Sequence, residues 1–352
     1  MRLRLERRAQ PSALWRGAAP VLAIGLTVAM GVALFAALGK DPVAGLKVFF
    51  WEPIRSGYAW SELLVKATPL LIIALGLAVC FRSNVWNIGA EGQFVVGAIA
   101  AGGVALLAGP GSGPAMMVAV LFAGVLGGMA WAAVVAGLRD RFHANEILVS
   151  LMLVYVAVQL LNTLVYGPWK DPMGYNFPQT RIFDASVRVP RLVEGFRLHM
   201  GWLLACAGVV ALWVFLSRTL AGFAQQVGGW APAAARYAGF TEGRTLWLAL
   251  LVSGAAAGLA GALEVAGPLG QLTPHVPSGY GFAAIIVAFV GRLHPVGMLG
   301  SALLMSLFYI GGELAQSRLG LPKSITGVFQ GLLLFNLLAC DALTQFRWRL
   351  HR

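Results

Sequence analysis

The chain has 352 residues, of which 59% are hydrophobic and only 11% charged, with a mean hydropathy of +0.77. Soluble domains average about 45–50% apolar and about 25% charged residues, so this few charges cannot cover a water-facing surface and a soluble enzyme is excluded. The net charge of +12, from 26 Lys and Arg against 14 Asp and Glu, in so apolar a chain sets membrane orientation and headgroup contact and argues against nucleic-acid binding.

Charge-free windows mark the spans, because about 20 apolar residues cross the hydrocarbon core and a charge at its centre is costly. They predict an all-α polytopic membrane protein of about ten transmembrane helices, some discontinuous, in a single domain over residues 1–352. Residues 1–16 carry five arginines and form a basic N-terminus. Gly17–Gly39 is the first span, 23 residues without a charge. It exceeds the apolar run of a signal peptide, about 7–15 residues, and is expected to stay uncleaved. The second is Ala67–Phe81, with an amphipathic lead-in from Tyr58. After Arg82 only Glu91 interrupts the stretch to Arg139, and the break Gly109-Pro110-Gly111-Ser112-Gly113-Pro114 divides it into two spans. Glu146 to Lys170 encloses the fifth, Arg197 to Arg218 the sixth, and Arg244 to Glu264 the seventh. The 27 uncharged residues Val265–Gly291 begin as a Pro/Gly loop (Pro268, Pro274, Pro277, Gly279) and finish as a short eighth span. Leu293–Gly312 and Ser324–Cys340 supply the ninth and tenth.

An even count puts both ends on one side, and the arginines at both termini assign that side to the cytoplasm. Arg139, Arg141, Arg292 and the loop 218–244 then fall inside. The loop 167–198 falls outside despite its five basic residues.

Several polar positions carry the functional interest. In Arg82-Ser83-Asn84-Val85-Trp86-Asn87-Ile88-Gly89-Ala90-Glu91-Gly92-Gln93-Phe94, a polar, glycine-broken stretch between two apolar runs is costly in lipid unless it faces protein or a watery cavity. It predicts a discontinuous helix in which Gly89 and Gly92 let the backbone unwind or pack closely. Asn87, Glu91 and Gln93 offer hydrogen-bonding groups to a hydroxylated solute, or else cap the helix and tie it to neighbouring spans. Glu264, at the outer end of the seventh span, either touches solute at the cavity mouth or is solvated at the interface. In the loop 218–244, Gly228-Gly229 and Pro232 isolate a short helix, Ala233–Tyr237, closed by Gly239. Arg236 and Tyr237 give it a face suited to docking a cytosolic partner, or to an ordinary interfacial linker. Asn145-Glu146 opens the fifth span, where the acid complements the helix dipole. Gly124-xxx-Gly128 and Gly254-xxx-Gly258 indicate close helix packing, within the chain or across a dimer. Cys80, Cys206 and Cys340 are far apart and without CxxC spacing, and the histidines form no cluster, so no metal site is expected. There is no G-x-x-x-x-G-K-[ST] phosphate cradle. Any ATP that powers the protein is bound by another chain.

Four strings, in order, resemble a known family: Phe81 to Gln93; Ala144-Asn145-Glu146-Ile147-Leu148-Val149-Ser150-Leu151-Met152-Leu153; Ala235-Arg236-Tyr237-Ala238-Gly239-Phe240; and Gly279-Tyr280-Gly281-Phe282-Ala283-Ala284-Ile285-Ile286-Val287-Ala288. They are similar to the permease subunits of bacterial ABC importers, in the simple-sugar and nucleoside branch, over about Glu62 to Asp341. The resemblance implies a permease with a type II importer-like fold in the bacterial inner membrane. It also implies a second, homologous permease forming a heterodimer, cytosolic ATPase chains that use ATP, and a periplasmic or lipoprotein solute-binding protein. The chain itself would bind no cofactor and make no covalent bond. Asn87, Glu91 and Gln93 fall in the family's signature beside the translocation path. Pro232, Ala235, Arg236, Tyr237 and Gly239 fall on the region coupled to the ATPase, where this chain has Trp230-Ala231 before the proline in place of the usual polar residue. The Asn-Ile-Gly-Ala-Glu-Gly-Gln form ranks nucleosides above pentoses. The alternative is an ion-coupled secondary transporter with Glu91 as the coupling acid.

Overall fold

The computed structural model describes residues 2–7, 13–109 and 112–351. Part of the basic N-terminus (Met1 and residues 8–12), Pro110 and Gly111 of the predicted break, and Arg352 lie outside the described residues. In chain order the helices are α1 (Ala13–Ala37), α2 (Pro42–Leu46), α3 (Gly57–Arg82), α4 (Ala90–Leu107), α5 (Pro114–Phe142), α6 (Glu146–Tyr166), α7 (Gly201–Arg218), α8 (Leu220–Trp230), α9 (Pro232–Tyr237), α10 (Glu242–Glu264), α11 (Tyr280–Val290), α12 (Pro295–Leu319) and α13 (Ile325–Gln345). Among the described residues eight are long and apolar enough to cross a membrane, joined by two shorter apolar helices, Tyr280–Val290 and Ile325–Cys340. Each of the ten predicted windows overlaps one of these helices.

Their ends follow from local chemistry. Asn145 caps α6 by accepting from the N–H groups of Ile147 (2.9 Å) and Leu148 (3.3 Å). Glu146, in the first turn, also pairs with Arg139 at the end of α5. Pro114 opens α5, where its missing N–H costs nothing, and His143 closes it in the left-handed region. The predicted helix break at Gly228-Gly229 is absent: both glycines lie inside α8. The break falls instead at Ala231, non-helical at φ −144° and ψ 74°, because the ring of Pro232 disfavours helical backbone just before it.

The chain divides into two compact units, Met1–Leu63 with Leu304–Arg352, and Leu64–Leu303. In the first, Gly31 lets the ring of Phe329 approach α1, and Phe329 stacks on Phe49 at 4.3 Å with Phe35 and Phe308 around it at 5.8 and 6.1 Å. Asn336, buried in α13, donates to the hydroxyl of Thr27 on α1 (3.1 Å). Residues Arg2–Arg7 and Phe346–His351 pair as an antiparallel two-stranded ribbon, β1 and β2, with Arg2 opposite His351. The two ends of the chain are thus held side by side.

The second unit is built on α4, α5 and α10, which meet along glycines. A methyl group on Gly254 would lie 2.5 Å from the carbonyl oxygen of Gly128, one on Gly258 would strike the carbonyl of Gly124, and one on Gly97 would strike Gly258. The two small-residue repeats seen in the sequence therefore serve each other within the chain, letting backbones touch where the hydrophobic effect gives no drive. The loop 167–198 has little regular structure but is tied to the segment after α10. Backbone N–H groups of Thr180, Phe183 and Val189 donate to the carbonyls of Leu272 (3.0 Å), Gly270 (2.8 Å) and Ala266 (2.9 Å).

His199 locks this loop to α7. It is buried against Gly201 and Gly267, and its Nδ1 accepts from the Gly201 N–H at 3.1 Å. Burial, helped by the Arg197 charge, pushes its pKa from 6.5 down to about 4. Between those values the unfolded chain binds a proton that the folded loop does not, so local stability is complete above about pH 6.5 and falls as the pH drops. The full shift corresponds to about 3 kcal/mol. Hydrogen exchange of residues 183–200, corrected for intrinsic rates, is expected to quicken roughly 50–100-fold from pH 7.5 to 4.5. His199→Asn should flatten that profile. An equally steep profile in the variant would remove His199 as its origin.

Candidate functional site

The predicted break before Glu91 is present, and a second break lies opposite it. After α3 the chain turns at Asn84, in the left-handed region (φ 56°), and runs without helix until α4 begins at Ala90. After α10 it passes through a π-helical turn, Val265–Leu269, and a loop to Gly279 before α11 starts. At about 1.5 Å per residue, the 11 residues of α11 cover roughly 16 Å, half of a hydrocarbon core. The predicted eighth span is therefore a half-helix whose N-terminus is buried in protein.

Glu91 supplies what that buried terminus lacks. The first backbone N–H groups of a helix have no internal partner, and its N-terminus carries a partial positive charge. Glu91 Oε1 accepts from the Gly279 N–H at 2.8 Å and Oε2 from the Gly281 N–H at 2.5 Å. Gly279 has φ 78°, a strained conformation for any residue with a side chain, and a methyl group on Gly281 would collide with the backbone of Glu91. Glu91 is 2% exposed, Gln93 1% and Asn87 0%. Asn87 and Gln93 bond to each other reciprocally, Nδ2 to Oε1 at 2.9 Å and Nε2 to Oδ1 at 3.2 Å. Asn87 also donates to Ser253 Oγ on α10 (2.9 Å) and accepts from the Gly89 N–H (3.2 Å). The three residues picked out in sequence thus come together as a buried polar junction that fixes the unwound segment to α10 and α11. Glu264 is half-buried at the end of α10, beside the π-helical turn.

Sequence reasoning missed other members. Lys66 lies within α3, one residue before the predicted span, with its ammonium 5.9 Å from the ring centroid of Tyr280. Tyr280 in turn meets Phe94 edge-on at 5.9 Å. Ser253 gave no signal, being one hydroxyl in an apolar run. Arg82, read only as the end of a span, donates from Nε and Nη2 to the carbonyl of Leu293 (3.1 and 2.8 Å), just past α11, and from Nη1 to Gln226 on α8 (3.1 Å).

Beside Arg82 stand α8 and α9. The short helix predicted over Ala233–Tyr237 is observed as Pro232–Tyr237, closed at Gly239 (φ 86°) with the Phe240 N–H donating back to the Ala235 carbonyl at 3.0 Å. Ala235 faces inward at 4% exposure, whereas Pro232, Arg236 and Gly239 are exposed and Tyr237 is 97% exposed. Trp230, at the end of α8, is 82% exposed. Gly229 packs on the carbonyl of Arg82, where a methyl group would collide. This explains a glycine inside a helix.

An all-helical membrane bundle, with two segments unwound at a buried polar junction and a short helix presented at one end, is the architecture of a solute-transport component. The chain belongs to the family described as the branched-chain amino acid transport system permease component, whose model matches residues 60–338. The glucose ABC transporter permease protein TsgB13 of Haloferax volcanii is 33% identical over 354 residues, covering 97% of this chain and 92% of that protein. The guanosine ABC transporter permease protein NupP of Bacillus subtilis is 29% identical (88% and 89% covered), and the nucleoside ABC transporter permease protein NupB of Lactococcus lactis 26% identical (90% and 89%). The chain is a multi-pass permease subunit of an ABC importer, in the simple-sugar and nucleoside branch, and the ion-coupled alternative is not favoured. Such a permease works with ATPase and solute-binding partners. The family description and the relatives' names differ in solute: branched-chain amino acids, glucose, guanosine and nucleosides.

Proposed function

We propose that this chain, paired with a second homologous permease in a heterodimer, carries a nucleoside or simple sugar across the plasma membrane by alternating access, driven by ATP hydrolysis on separate chains. Asn87, Glu91 and Gln93 border the path by holding the two unwound segments where they meet, and Glu264 stands at its outer mouth. Both termini and the loop 218–244 face the cytoplasm; the loop 167–198 faces the binding protein. Pro232, Ala235, Arg236, Tyr237 and Gly239 form the element that engages the ATPase. The observation that supports this reading most directly is the presentation of α9, anchored by one buried alanine while Arg236 and Tyr237 stand clear. The permease forms no bond with its cargo, and the scarcity of intramembrane charge suits an uncharged solute.

The test is reconstitution in liposomes with the second permease, the ATPase and the binding protein, with uptake of radiolabelled guanosine and glucose measured. ATP-dependent uptake of one of them is expected. Arg236→Glu with Tyr237→Ala should reduce it at least tenfold while the four components still co-purify. Unchanged uptake in that variant would remove α9 as the coupling element, and uptake without the ATPase would overturn the importer reading.

A further inference from the structure

The half-helix α11 is gripped at both ends by the two ends of one unwound segment. At its N-terminus, Glu91 accepts from Gly279 and Gly281; at its other end, Arg82 donates twice to Leu293. The signs match the helix dipole, with an acid at the positive end and a cation at the negative end. The chain leaves α11 through Arg292 and Leu293, both left-handed at φ 54°. Phe289, in the last turn of α11, stacks on Phe81 (5.0 Å), just before that segment, and on Trp86 (6.2 Å), within it.

The same arginine also reaches the coupling region. Its Nη1 donates to Gln226, which itself donates to the carbonyl of Leu216 at the end of α7 (2.9 Å). Next to it, the hydroxyl of Ser83 bonds to Gln225, and Gln225 donates to the carbonyl of Thr245 at the start of α10 (3.2 Å). Gly229 brings α8 into backbone contact with Arg82. A guanidinium has five donors in a rigid fork and can hold two partners at fixed angles, which a lysine ammonium does not do.

We propose that Arg82 is a positioning residue of the transport cycle, relaying movement of α8 and α9 to α11 and, through that half-helix, to the Glu91 junction. This rests on the reading of α9 as the element that engages the ATPase. Displacement of α8 pulls Gln226, Gln226 carries the guanidinium of Arg82, and Arg82 carries the C-terminal end of α11. Because α11 is a single short rod of about 16 Å, movement at its C-terminal end is passed to its N-terminus, where Glu91 holds Gly279 and Gly281.

Hydrogen–deuterium exchange on the complete importer in nanodiscs, with and without ATP plus vanadate, tests the relay without knowledge of the cargo. In the wild type, nucleotide is expected to change exchange at least threefold both in 220–239 and in 280–293. In Arg82→Gln, and in Gln226→Met, which spares the Arg82–Leu293 contact, the change in 220–239 should persist while that in 280–293 is lost. Arg82→Lys should not restore it. A nucleotide response in 280–293 that survives Gln226→Met overturns the relay, including the case in which Arg82→Gln fails to assemble. A wild-type response in 220–239 without one in 280–293 overturns the relay and leaves the coupling reading standing. Absence of both in the wild type overturns the coupling reading and the relay with it.

Discussion

Gly258→Val is expected to leave no monodisperse permease after detergent extraction, while Gly300→Ala yields protein with a thermal midpoint equal to or above that of the wild type. The contrast isolates contact from composition, since both glycines are in helices. A side chain on Gly258 would meet the carbonyl of Gly124 and the Cα of Gly128, at 2.9 Å for the latter, and neither backbone atom can turn aside. Overpacking that flexible side chains absorb costs about 1–3 kcal/mol; here two helices must part, and the cost rises to about 4 kcal/mol or more. At Gly300 nothing lies within 4 Å of an added methyl group, and replacing glycine in a helix gains roughly 0.5–1 kcal/mol. Size-exclusion profiles and thermal unfolding of the two variants decide the matter. A well-folded Gly258→Val would show that α5 and α10 can separate freely.

Glu91→Gln is expected to lower ATP-driven uptake roughly 10–100-fold with assembly retained. The carboxylate offers an acceptor to each of two N–H groups; the amide offers one and turns an NH₂ toward the other. Leaving one buried N–H without a partner costs about 1–3 kcal/mol, and losing the negative charge at a helix N-terminus adds about 0.3–1 kcal/mol. The change weakens the grip on α11 without removing the apolar packing around Tyr280 and Phe94. Uptake assays beside co-purification of the partners separate the two effects. Wild-type uptake would make Glu91 a packing group with no part in transport.

Much of the bundle is legible in the distribution of charge. The windows bounded by Arg82, Arg218 and Glu264 stop where α3, α7 and α10 end, because a charged side chain marks where the apolar environment stops. The same logic fails at the start of α3. The window opens at Ala67 because Glu62 and Lys66 precede it, yet the helix begins at Gly57 and Lys66 lies over Tyr280. The extent of α8 is hidden for another reason: Gly228-Gly229 has the composition of a break, and only the contact of Gly229 with Arg82, distant in sequence, makes glycine necessary inside a helix. At the junction, residue types were informative and pairings were not. A polar cluster around Glu91 stands out in an apolar chain, but its partners at Gly279 and Gly281 are 188 and 190 residues away, and Ser253 is 166 from Asn87. Local sequence carries the cost of burying a carboxylate and not the address of the group that offsets it.

The glycine contacts among α4, α5 and α10 have a mechanical consequence. Helices separated by side chains can shift against each other as rotamers change; helices that touch through their backbones have no such compliant layer between them. These three therefore act as one stiff frame.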